Sequence, residues 1–375
     1  MTPVQRVCVQ VPATSANLGS GFDTLGLALD YFDEVEFSLI DAAAPYDAQP
    51  SVIVDIEGEG EQTLPRDESH LVVRAFRQAC ERFGLGTFAI HVRCTNRIPQ
   101  ARGMGSSAEA IVAGVSAAAA FAGYVDVATG ELTNRDLIFA VAAELEGHPD
   151  NVAPAVYGSM TASWKREASE SVVGVAAERL GAGFRTVNYA VKQTMLASVF
   201  IPDFELSTSA ARSVLPDQVP FGDAIANISH ASLMPAVMAT SSATITNALL
   251  FDATEDNLHQ PYRLGLMPPS AELIYALREA GYAACVSGAG PCVLVLHDCA
   301  YLLEQGSARG AETAQDATTV INKTAENQAE LKRVFAQAAA NIDAAAAPQL
   351  DSGKWRVLHL PVNRTGVRVT AEPIA

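Results

Sequence analysis

The stretch Pro99-Gln100-Ala101-Arg102-Gly103-Met104-Gly105-Ser106-Ser107-Ala108-Glu109 limits what this chain can fold into more than any other. Ahead of it Phe88, Ile90, Val92 and Cys94 alternate with Ala89, His91, Arg93 and Thr95, the period of a half-buried strand. Behind it Ala110 to Tyr124 is almost wholly Ala, Val, Ile, Gly and Phe. That run lacks the polar face of a surface helix, so a buried helix is expected, starting at the serines. Gly103 and Gly105 tolerate positive φ and close backbone approach. Successive amides can then point at one anion while the helix dipole adds partial positive charge, which suits a triphosphate. A GxxxxGK[ST] loop needs a lysine that is missing here, so the ordinary P-loop architecture is disfavoured, as is a dinucleotide-binding GxGxxG unit. Taken alone, GxGSS fits a plain turn between strand and helix equally well.

Composition narrows the classes. With 375 residues, 49% of them apolar, the chain suits one large or two medium domains with an ample core. A net charge of −17 without a basic stripe argues against nucleic acid and anionic membrane as partners. It does not argue against a nucleotide, because a divalent cation can supply positive charge locally. Met1 to Thr14 lacks the basic and apolar regions of an export signal, and the alanine-rich run is broken by Gly114 and Ser116, so a cytoplasmic location without a membrane span is expected. Cys8, Cys80, Cys94, Cys285, Cys292 and Cys299 form no CxxC pair and read as buried, reduced thiols.

Strands are expected at Val7–Val11, stopping at Pro12, and at Val35–Ile40 and Ser51–Ile56. A helix capped by Asp67 or Ser69 carries Leu71, Val72, Ala75, Phe76, Ala79, Cys80 and Phe83, and Gly84 ends it. Thr133 and Asp136 stand as a capping box for a helix that Gly147 and Pro149 terminate. Glu146 is the last residue of that helix, against the negative end of the dipole, where a bound cation would compensate it. The pattern loosens over Lys165 to Gly183, which is read as a domain boundary. Beyond it come a strand at Ala197–Ile201, a short helix capped by Ser207 or Thr208 and carrying Arg212, and a helical region over Ala224–Phe251. A helix at Ser270–Ala280 precedes strands at Tyr282–Val286 and Cys292–Leu296, which flank Ser287-Gly288-Ala289-Gly290-Pro291. Gly306 to Pro348 reads as an Ala/Gln/Glu-rich insertion followed by a helix over Ala325–Ile342, and Trp355–Leu360 and Gly366–Val369 as closing strands.

Three of these stretches, Pro12-Ala13-Thr14-Ser15-Ala16-Asn17-Leu18-Gly19, Pro99 to Glu109 and Ser287 to Pro291, together resemble the three signatures of the GHMP small-molecule kinases. Within that superfamily the homoserine kinases are the nearest in pattern, through Gly21-Phe22-Asp23-Thr24-Leu25-Gly26, His148-Pro149-Asp150-Asn151-Val152-Ala153-Pro154, Leu206-Ser207-Thr208 with Arg212, and Leu258-His259 with Pro261-Tyr262-Arg263. The resemblance implies an α+β fold in two domains. One, over 1–170, is like domain 2 of ribosomal protein S5 and binds ATP; the other, over 171–375, is ferredoxin-like and carries the insertion near 306–348.

The implied activity is ATP-dependent phosphorylation of the side-chain hydroxyl of L-homoserine. By the family pattern Pro99 to Glu109 hold the phosphates, and Ser107 with Glu146 ligate Mg²⁺, a hard cation suited to oxygen donors. Arg212 and Arg263 suit the substrate carboxylate and Asp23 its ammonium, while Asn17 and His148 can position atoms near the reacting hydroxyl. Asp23 is also the best candidate by type for a general base. Met104 replaces a common leucine, and His70 stands where relatives often carry an asparagine near the adenine. A homodimer is implied by resemblance alone. Two other readings stay open: a GHMP kinase acting on mevalonate, a sugar or a nucleoside precursor, and a non-catalytic regulator that binds ATP or an amino acid.

Overall fold

The computed structural model describes residues 4–40, 52–167, 182–239, 246–307, 328–350 and 354–373. A seven-stranded sheet is built on β1 (Val4–Ala16) and β2 (Leu25–Leu39). β4 (Ile90–Asn96) pairs antiparallel with β2, and β3 (Val52–Gly58) pairs parallel with β4. A hairpin of β5 (Met160–Arg166) and β6 (Gly183–Tyr189) joins the start of β2, and β11 (Arg368–Pro373) closes the sheet against β1. Helices α1 (Leu71–Arg82), α2 (Ser106–Phe121), α3 (Arg135–Glu146) and α4 (Val152–Tyr157) share one core with this sheet, in which Val7, Val9, Phe37, Val92, Phe76, Val112, Ile138 and Val156 are buried. Helices α1 and α2 cross so closely at Gly114 that a Cβ there would lie 2.5 Å from Val72 O. The alanine-rich stretch is therefore a buried helix because small side chains let three helices pack around it.

The second sheet holds β7 (Met195–Pro202), β8 (Ala283–Val286), β9 (Val293–Asp298) and β10 (Trp355–Pro361) in the order β10-β7-β9-β8, all neighbours antiparallel. This is the ferredoxin-like order that the family resemblance implies. Period-two alternation gives the sheet two buried faces. Leu196, Phe200, Val293 and Val295 pack with Leu273 and Leu277 of α9 (Pro268–Glu279) and with Val334 and Ile342 of α11 (Gln328–Ala346). Ala197, Val199, Ile201, Leu294 and Leu296 face the other way. They meet Leu18, Leu27 and Met104 of the first half, and residues of α6 (Phe221–Ala239) and α7 (Thr246–Ala253). Ser198, His359 and Asp343 form a hydrogen-bonded row at 2.8 and 3.1 Å, but Ser198 is fully buried, so the row bolts α11 to the sheet instead of presenting a nucleophile.

Several local expectations change. β1 runs through Pro12 to Ala16, its register with β2 slipping between Pro12 and Thr14, so the imino acid sits at an irregularity and not at an end. Asp67 turns back onto Ser69 N at 2.8 Å and leaves α1 without a side-chain cap. Asn134, not Thr133, caps α3 by accepting from Leu137 N, while Asp136 accepts from Tyr157 Oη. The helical region expected over 224–251 is two helices, with 240–245 outside the described residues. Part of the loosened stretch, 168–181, also lies outside them, and the strands on either side pair with each other. The insertion is described only as α10 (Ala300–Ser307) and α11, since 308–327 lie outside. Because β6 and β11 belong to the first sheet, its topology crosses the division expected at residue 170.

Candidate active site

Three glycine-rich segments are stitched together where the two halves meet. Thr14 N donates to Met104 O at 3.1 Å, Gly288 N to Ala16 O at 3.1 Å, and Cys292 N to Arg102 O at 3.2 Å. Ser287 Oγ donates to Gly103 O at 2.6 Å and lies 2.9 Å from Ser15 Oγ. Gly103 and Gly105 have φ of 81° and 75°. A Cβ on them would lie 2.1 Å from Ser287 O and 2.0 Å from Thr14 Oγ1, so both positions require glycine for space as well as for φ. Gly105 precedes α2 in the left-handed region, and no side chain caps the helix. The first amides of α2 thus open onto a cavity of about 490 Å³, an arrangement suited to an anion through amides and dipole together.

On the wall of this cavity Ser107 Oγ donates to Glu146 Oε2 at 2.7 Å. Glu146 closes α3, with Gly147 in the left-handed region behind it. Its side chain is only 8% exposed, and burial raises its pKa against the pull of His148 and Ser107. His148 Nδ1 donates to Asp150 Oδ1 at 2.9 Å, and its Nε2 lies 3.8 Å from Glu146 Oε1. The bond to Asp150 raises the His148 pKa, and Glu146 and Asp23 add to this. Asp150 also accepts from Asn151 N, and Asn151 Oδ1 accepts from Thr14 Oγ1, which ties this corner to β1. No cluster of three or more His, Cys, Asp or Glu among the described residues could hold a metal. Ser107 and Glu146 offer two hard oxygens, and a buried carboxylate at the negative end of a helix is short of positive charge. That donor set fits Mg²⁺, which keeps water and phosphate oxygens in its remaining positions.

The opposite wall carries an ion pair. Arg212 Nη1 and Nη2 donate to Asp23 Oδ2 and Oδ1 at 2.8 and 2.9 Å, a bidentate fork between two half-exposed groups. Arg212 is presented by α5 (Thr208–Ser213), whose cap is Ser207, accepting from Ala210 N as expected. Asp23 sits at φ 52°, its amide held by Asn17 Oδ1 at 2.9 Å, while Asn17 Nδ2 donates to Gly288 O at 2.7 Å. Arg263 ends α8 (Gln260–Arg263) and is 1% exposed. It donates to Ala211 O and to His259 Nδ1. His259 in turn donates from Nε2 to Gly19 O at 2.8 Å, so the ring is neutral with a defined tautomer, and burial lowers its pKa. Both guanidinium groups lie over the Phe22 ring, at 5.7 and 5.0 Å from its centroid.

Asn17, Asp23, His148, Arg212, Arg263, Ser107 and Glu146 all line this one cavity, as do Gln100, Ala101, Gly103, Gly105, Ser106 and Glu109. Met104 and Ala108 are buried behind the loop. Pro99 and Arg102 border a second cavity of about 280 Å³, where Arg102 donates to Pro202 O and Asp203 O. His70 also lines the main cavity, 3% exposed; among the described residues neither ring nitrogen has a partner, and burial lowers its pKa. Asp150, Phe22 and His259 carry structural roles in the site that sequence reasoning did not assign, although each lies within or beside a quoted motif.

Residues 70–159 match the GHMP kinases N terminal domain and residues 234–332 the GHMP kinases C terminal domain. Homoserine kinase of Corynebacterium aurimucosum is 41% identical over 292 residues, covering 78% of this chain and 86% of that protein. The enzyme of Clavibacter michiganensis is 42% identical over 293 residues, with 78% and 83% covered. A crystal structure of homoserine kinase from Cytophaga hutchinsonii superposes with a TM-score of 0.65 at 25% identity, covering 97% of each chain. Mevalonate kinase of L. major, at 13% identity and a TM-score of 0.57 over 95% of each chain, shares the fold. With the glycine-rich loop, the Ser107–Glu146 pair and the Arg212–Asp23 fork in one cavity, the chain belongs to the homoserine kinases of the GHMP kinase family.

Proposed function

We propose that this protein transfers the γ-phosphoryl group of ATP to the side-chain hydroxyl of L-homoserine, giving O-phospho-L-homoserine and ADP on the route to threonine. The observation that carries the proposal is the Arg212–Asp23 fork facing the anion-binding loop across one cavity. An amino-acid zwitterion can replace that pair charge for charge, its carboxylate on Arg212 and its ammonium on Asp23. Arg263, buried and oriented by His259, adds a second cation toward the carboxylate. Asn17 and His148 then stand beside the side-chain hydroxyl. The hydroxyl oxygen bonds to the γ-phosphorus as the bond to the β,γ-bridging oxygen breaks, and the hydroxyl proton is released. Such a transfer needs positioning and charge neutralisation more than covalent chemistry. The loop amides and the α2 dipole supply part of that. Ser107 and Glu146 would hold Mg²⁺, whose chemistry is to neutralise the phosphate oxygens.

No helix among the described residues is long and apolar enough to cross a membrane. A cytoplasmic homodimer, read by sedimentation, completes the proposal. ADP release measured with L-homoserine, L-serine, L-threonine and mevalonate at matched Mg²⁺ tests it. Turnover confined to an acceptor other than homoserine overturns the substrate, and no Mg²⁺-dependent release with homoserine overturns the activity.

A further inference from the structure

The amino-acid half of the site is assembled from two segments. Asn17 and Asp23 belong to a closed turn after β1, in which Asn17 N donates to Leu25 O at 2.7 Å, and Gly21 N to Asn17 O and Leu25 N to Gly21 O at 2.9 Å. Asn17, Leu18 and Asp23 in this turn stand at φ of 70°, 48° and 52°, a conformation that surrounding contacts must hold. Arg263 belongs to the stretch after α7, where Asp256 accepts from Leu258 N, His259 N and Gln260 N and so fixes the start of α8. Gln260 Oε1 accepts from Val286 N at 2.6 Å and pins that stretch to β8.

A third element bridges the two. α6 is open to solvent along one side, where Phe221, Ile225 and Ile228 are exposed, yet Asn227 on the same helix is 3% exposed. Its Nδ2 donates to Ser20 O at 2.5 Å in the turn, and its Oδ1 accepts from Asn257 N at 3.1 Å, next to Asp256. One partner is a carbonyl and the other an N–H, so the side-chain amide has a single orientation and both of its ends are used. We infer that Asn227 is a positioning residue for the amino-acid substrate: by tying the Asp23 turn to the Arg263 segment from outside the site, it sets how the receivers of ammonium and carboxylate stand to one another. The inference rests on the reading of Asp23 and Arg263 as those receivers. An α-amino acid carries both charged groups on one carbon, so their spacing is covalently fixed, and a site in which either receiver drifts loses part of the paired contact. Asn227 is not among the described residues that line the cavity, so replacing it leaves every substrate-facing group chemically intact.

Asn227→Leu keeps the size of the side chain and removes both bonds. It is expected to raise the KM for L-homoserine about tenfold while the KM for ATP changes less than about twofold. A KM for ATP rising in step overturns the inference. Added to Asp23→Asn, the same substitution is expected to raise the KM for homoserine less than about twofold further, because the receiver it positions is already lost; full additivity overturns the inference. Amide hydrogen exchange gives a reading that needs no turnover. Residues 18–25 are expected to exchange about tenfold faster in Asn227→Leu, with α2 unchanged, and unaltered exchange in the turn overturns the inference. Asn227→Ala, a better helix former, is expected to show the same split and carries the test if the leucine variant does not fold. Absence of homoserine turnover in the wild-type protein would count against the kinase reading, whereas the exchange result reads the bridge by itself.

Discussion

Asp23 has two roles to choose between, ammonium ligand and general base, and its geometry favours the first. Both oxygens already take N–H donors from Arg212 at 2.8 and 2.9 Å, which suits the proposed exchange of that cation for the substrate ammonium. Asp23→Asn is therefore expected to raise the KM for homoserine about tenfold or more while kcat stays within about threefold, read from steady-state kinetics. A fall in kcat as large as the rise in KM would instead mark Asp23 as the base. A second residue contributes to the loss of stability in acid. His297 on β9 is buried between Tyr282 and Tyr301, and burial lowers its pKa to about 4. Below its ordinary value of 6.5 the unfolded ring binds a proton that the native ring refuses until about pH 4. Stability is thus present above about 6.5 and falls across that window by on the order of 3 kcal/mol. Denaturant titrations at pH 7.5 and 4.5 should show the loss, and His297→Phe should reduce it.

Among the elements, the anion-binding loop was the most legible, because glycines at positions that exclude any Cβ leave a pattern no other residue can imitate. The same holds for α5, where Ser207 caps and Arg212 follows, and for Glu146 at the end of α3. The β5–β6 pairing left little trace, since Trp164 and Val187 remain exposed and the strands are partly open to solvent. Met104 shows how an element is anchored. It is fully buried in the core between the two sheets and fixes the loop on the second half of the molecule. Met104→Ala should cost about 2–5 kcal/mol and Met104→Leu less than about 1.5, measured by urea denaturation.

On the scale of the whole molecule, the site depends on both sheets. The anion-binding loop and Asp23 come from the first half, while Arg212, Arg263 and Gly288 come from the second. ATP and homoserine should therefore each raise the unfolding temperature, since mass action stabilises the fold by about 2.7 kcal/mol at a hundredfold excess over Kd. Added together they should raise it by more than the sum of the two, because each ligand orders the contacts the other uses. Differential scanning fluorimetry reads this directly, and strict additivity would count against a shared site. The ferredoxin-like order of the second sheet was foreseeable only through family resemblance, because strand order across long crossovers has no local signature. The crossing of β11 back to the first sheet had even less, since nothing in Arg368 to Pro373 names its partner.

That crossing sets a timetable. Arg6 and Glu372, 366 residues apart, pair across β1 and β11. During synthesis the outer edge of β1 stays open until β11 has left the ribosome, on the order of tens of seconds later. Throughout that interval Val7 and Val9 belong to a sheet whose backbone donors and acceptors are unmet on one side. The nascent chain therefore displays a sticky strand edge throughout the synthesis of the residues between Arg6 and Glu372, and β1 is completed only when β11 arrives.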